Sequence, residues 1–202
     1  MRAPSIKKTG HFLSSPKFIG GFFMRKFNNR QLALMGVLIG VNIIGAFIAV
    51  ATKVPLLLDH IGTLMICLVF GWRYAVACAF VSSCIVAMLF DPYSLPFAPT
   101  GMLMVTMVGI LLDKGYFKKL GRPLAIAIAV LPASILGAVI AGYIFGGVTS
   151  SGSSIIVRFL INKGLNPAIA VFVIQYFMEY LDRLMSFSLV SMIYKRYRFD
   201  KI

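Results

Sequence analysis

The sequence predicts an all-α integral membrane protein: a bundle of six transmembrane helices with both chain ends on the inner side. Three observations carry this. Of the 202 residues, 59% are hydrophobic and only 13% charged, where soluble domains average roughly a quarter charged. The apolar residues fall into stretches close to the ~20 that cross a bilayer. Threading those stretches back and forth puts sixteen of the 20 Lys and Arg on one side and three on the other, with Arg183 inside the last span, a strong positive-inside signal.

The elements follow in order. Residues 1–30 read as a basic cytoplasmic extension; Phe18 to Met24 is too short and glycine-rich for a signal peptide. Within it, residues 1–23 are expected to be dispensable, the product of an upstream start. Residues 31–195 form the membrane domain and residues 196–202 a basic cytoplasmic tail. The first span runs from Gln31 to about Ala51 and ends at Lys53-Val54-Pro55. The second, about Leu56 to Phe70, is short unless its ends sink inward. Gly71-Trp72-Arg73 turns into a third from Tyr74 to Phe90. Pro92 and Pro96 break the chain before a fourth from about Phe97 to Leu112. A basic loop, Asp113 to Pro123, leads to an Ala- and Gly-rich fifth span, Leu124 to about Phe145. A polar run follows, then Ile155 to Ile161, too brief to cross. Pro167 suits the first turn of the last span, which reaches about Ile193.

The charge of +14 raises nucleic acid as a partner. The basic runs abut apolar spans, however, so the lipid bilayer accounts for them and no nucleic acid is expected. Cys67, Cys78 and Cys84 lie in apolar stretches without zinc or disulfide spacing and read as packing residues. No P-loop, GxSxG or HExxH string and no paired-carboxylate arrangement occurs. An enzyme is not expected, and neither are catalytic residues, a metal or a cofactor.

Polar side chains gather at the outer ends of the spans. Asp59, His60 and Thr63 mark the mouth of the second span. Asp91, Tyr93 and Ser94 occupy the next outer loop, with Phe97 and Thr100 a helical turn apart below it. Thr149, Ser150, Ser151, Ser153 and Arg158 belong to the third outer connection, and Gln175 to the outer half of the last span. Polar groups at membrane depth face a cavity or a partner, and three converging loops can build a small-molecule pocket. Arg158 has two uses open to it: paired hydrogen bonds to a carboxylate or phosphate, or snorkelling to the interface. Glu179 and Arg183, four apart, are read as a structural ion pair. Gly36 and Gly40 form a GxxxG that lets another helix approach closely, either within the bundle or from a separate membrane subunit.

Several strings resemble the substrate-binding S component of energy-coupling factor (ECF) vitamin importers. Gln31 to Asn42 is similar to that family's first-helix docking motif, with glycine at positions 36 and 40 where alanine is usual. Pro55-Leu56-Leu57-Leu58-Asp59-His60-Ile61-Gly62-Thr63 resembles a second-helix signature of one branch. Leu95 to Pro99, Phe145 to Gly152 and Glu179 to Arg183 look like further marks of it. The resemblance implies a multi-pass subunit of the bacterial cell membrane. Such a subunit binds a water-soluble vitamin from outside and docks through Gly36 and Gly40 on a membrane coupling subunit carrying two cytoplasmic ATPases. Pantothenate is the expected cargo, because Arg158 suits its carboxylate; riboflavin or cobalamin is the alternative within the family. A self-sufficient secondary transporter is the alternative outside it, although no internal repeat supports one.

Overall fold

The computed structural model describes residues 28–53, 58–146 and 153–197, and every regular element among them is helical. The order is α1 (Asn29–Thr52), a 3-10 turn (Leu58–His60), α2 (Ile61–Phe70), α3 (Trp72–Leu89), α4 (Ser94–Asp113), α5 (Tyr116–Lys119), α6 (Arg122–Val139), α7 (Ser154–Asn162) and α8 (Pro167–Tyr197). A π-helical turn, Ile140–Ile144, continues α6. The expected extension before residue 28 and the tail after residue 197 lie outside the described residues.

Four helices are long and apolar enough to cross a membrane: α1, α3, α4, and α6 with its π turn. The 31 residues of α8 also suffice in length, but Glu179, Asp182 and Arg183 interrupt its apolar run. α2 has ten residues, about 15 Å at 1.5 Å per residue, half of a ~30 Å hydrocarbon layer. Its start therefore lies deep in the bundle. Asp59 and His60 directly precede that start, which meets Asn42 at the middle of α1.

Two boundaries differ from expectation for local reasons. α4 begins at Ser94 and takes in both Pro96 and Pro99. Pro96 is the third helical residue, where no N–H has an intrahelical acceptor anyway, so it does not break the helix. The basic loop contains α5, which turns Phe117 inward while Lys118 and Lys119 stay exposed. Phe117 stacks on Phe187 of α8 at 4.8 Å and closes the base of the core. That core is built from α2, α4, α6 and α8, with Leu64, Ile66, Met104, Val105, Ile126 and Val190 fully buried.

α6 is the central helix and α1 a peripheral one. Over their most apolar stretches 56% of α6 but only 22% of α1 is buried. The outer face of α1 presents Leu32, Val37, Ile44 and Phe47, a surface for hydrocarbon rather than water. Gly36 and Gly40 share that side: a side chain built on either would meet nothing within 4 Å. Among the described residues, the GxxxG thus has open space where side chains would stand.

The inner face of α1 is fastened differently. Asn42, 1% exposed, donates through Nδ2 to Thr63 Oγ1 at 2.6 Å and Ser82 Oγ at 3.5 Å. Its Oδ1 accepts the backbone N–H of Gly62 at 2.8 Å and of Thr63 at 3.3 Å. Those N–H groups belong to the first turn of α2, which has no side-chain cap of its own. Asn42 therefore caps α2 from a neighbouring helix, serving donors that lipid could not. The approach is so close that a Cβ on Gly62 would overlap the Leu38 carbonyl and Asn42 Oδ1. Glycine is required at position 62 for α1 and α2 to touch.

Candidate functional site

A cavity of about 160 Å³ opens among α1, the 3-10 turn, α3, α4, α6, α7 and α8. By the same measure one water needs roughly 10–15 Å³, so the space suits a small organic molecule rather than a solitary water.

Its floor joins the 3-10 turn to α8. Arg183 of α8 pairs with its neighbour Asp182 and lies 3.5 Å from Asp59 Oδ1. His60 Nδ1 stands 2.6 Å from the same Asp59 oxygen. One guanidinium thereby ties two carboxylates from separate elements. The expected Glu179–Arg183 pair is not among these contacts, although Glu179 lies near enough to act on the guanidinium electrostatically. Both residues share a face of α8, but the deep start of α2 brings Asp59 to Arg183, and Asp182 takes the rest of the guanidinium. Glu179 looks instead to α6: Oε2 accepts Ser134 Oγ at 2.8 Å and Oε1 accepts Gln175 Nε2 at 2.8 Å. Gln175 fits because α6 has Gly137 opposite, where a Cβ would overlap the amide.

Towards the loops the wall becomes aromatic and hydroxylic. Tyr93 and Phe97 line the cavity, both packed on Phe145, edge-on at 5.0 Å and stacked at 6.0 Å respectively. Asp91 accepts Ser94 Oγ at 3.1 Å. Thr100 also lines the cavity, its hydroxyl donating to the Phe97 carbonyl at 2.7 Å. The π turn contributes Ala141, and α7 contributes Ser153, Ser154 and Val157.

Of the residues expected at a site, Asp59, His60, Tyr93, Phe97, Thr100 and Gln175 come together around this one cavity. Thr63 does not line it; it is buried against Asn42 and borders a smaller void of about 30 Å³. Arg158 does not line it either. On α7 the inward position belongs to Val157, and the next residue, turned about 100° round the helix, is exposed. Thr149, Ser150 and Ser151 lie outside the described residues. Sequence reasoning missed Asn42, Ser134 and Phe145. The first two carry a signal, since each is a lone polar residue inside an apolar span. Among the described residues no cluster of His, Cys, Asp and Glu is suited to a metal ion.

Apolar spans around a chamber with a polar floor define a multi-pass membrane protein with an internal cavity. Comparison with family models makes this specific: residues 30–194 match the ECF transporter substrate-specific component, and the chain belongs to that family. No curated protein and no solved structure matches it significantly. A member of this family is a transporter subunit rather than an enzyme, the substrate-specific partner of a membrane coupling subunit and ATPases.

Proposed function

We propose that this chain captures a small water-soluble compound, of vitamin size, at the outer face of a bacterial cell membrane and delivers it inward while docked on a coupling subunit that carries two ATPases. The observation behind this is the polar-floored cavity within a bundle of the S-component family. Six crossings, by α1, the 3-10 turn with α2, α3, α4, α6 and α8, put both ends inside, in keeping with the positive-inside count. α7 lies across the cavity end without spanning. The outward GxxxG of α1, with open space before it among the described residues, is the docking face.

Pantothenate was favoured for a carboxylate that Arg158 would hold. With Arg158 exposed and away from the cavity, that support falls away, and neither riboflavin nor cobalamin gains any. The cargo is a small water-soluble compound.

The docking role is tested by purifying the tagged chain from membranes that hold its partners. The wild type is expected to bring down the coupling subunit and ATPases. The Gly36→Leu, Gly40→Leu double variant should lose at least tenfold of that recovery while remaining folded and monodisperse. Undiminished recovery removes the two glycines from docking.

A further inference from the structure

We infer that the cargo is an organic cation, a molecule presenting a protonated amine or a cationic ring to the cavity floor. This deepens the reading of the chain as a small-molecule-binding subunit and rests on it.

Acidic residues are scarce in this protein, six in 202 against 20 Lys and Arg. Four of the six, Asp59, Asp91, Glu179 and Asp182, line the one cavity. Among the described lining residues Arg183 is the sole Lys or Arg. A chain of net charge +14 has thus gathered most of its negative charge at a single buried place.

Two details separate this from a self-contained ionic network. Arg183 is already divided between Asp59 and Asp182, yet Asp182, 2% exposed, keeps Oδ1 buried with no hydrogen-bond partner. Among the described residues, Glu179, 8% exposed, receives its hydrogen bonds from the neutral side chains of Ser134 and Gln175. Those donors orient the carboxylate without cancelling its charge. Buried carboxylates that outnumber the positive charge beside them are disfavoured, and a cationic guest adds the charge that Arg183 alone does not balance. An anionic guest meets the reverse: carboxylates around it and an arginine already engaged. The aromatic side chains Tyr93 and Phe97 on the same cavity suit a cation as well, since ring faces attract positive charge.

The test uses the whole protein, purified in detergent at pH 7 and incubated with the small-molecule fraction of yeast extract. After washing, the retained compounds are released by denaturation and identified by mass spectrometry. The expected result is enrichment of a compound with a positively charged nitrogen. Preferential retention of an anion or a neutral compound overturns the inference while leaving the binding-subunit reading intact. A folded sample that retains nothing overturns both. Glu179→Gln, which keeps the shape and removes the charge, should lower affinity for the retained cation at least tenfold. Asp182→Asn is the second variant should the first fail to fold. Affinity unchanged in a folded variant withdraws these carboxylates from recognition.

Discussion

The two faces of α1 are built on opposite principles. The outward face carries Gly36 and Gly40 with open space before them, whereas the inward face carries Asn42 and meets Gly62 of α2 at backbone contact. Both use small residues for close approach. Among the described residues, only the inner face also has a polar side chain that satisfies a neighbouring helix. A glycine pair states that something can come near; a buried asparagine whose four hydrogen bonds reach α2 and α3 states what has.

That contrast can be broken by substitution, with unfolding in detergent as the readout. The largest effect is expected for Gly62→Ala, because the added methyl meets a carbonyl oxygen of α1 that cannot swing aside. Overpacking of this kind should lower stability by about 3 kcal/mol. Asn42→Ala follows at about 2 kcal/mol, from the lost cap and from buried donors left without acceptors. The smallest change belongs to Gly36→Ala with Gly40→Ala, where helix propensity alone acts and stability should hold or rise by up to about 1 kcal/mol per site. If the outward pair proved as sensitive as Gly62, the two faces would not differ and the docking assignment would lose its basis.

Much of the fold was legible because a membrane helix announces itself by length and apolarity. α1, α3, α4 and α6 lie within a few residues of the predicted spans. The convergence of Asp59, His60, Tyr93, Phe97, Thr100 and Gln175 was legible too, since polar residues near span ends have few places to go. What stayed hidden depended on depth and partner choice. The short α2 lowers Asp59 to the level of Arg183, and nothing in the local spacing of Glu179 and Arg183 could show that a third carboxylate would arrive. Arg158 failed for a related reason: a nine-residue helix has one inward stripe, and Ser154 and Val157 occupy it. Asn42 was visible as a polar residue in an apolar run, but its role exists only once α2 begins beside it.

The half-length of α2 has an electrical consequence. If α2 ends at the inner boundary of the hydrocarbon, a floor about 15 Å above that boundary lies roughly halfway through it. An ion resting there has already traversed close to half of the transmembrane field, worth about 1 kcal/mol per elementary charge for each 100 mV. Capture of a charged guest would then itself be voltage-dependent, about fivefold in affinity for each 100 mV. An energised membrane would register that difference, and a detergent micelle, having no field, would not.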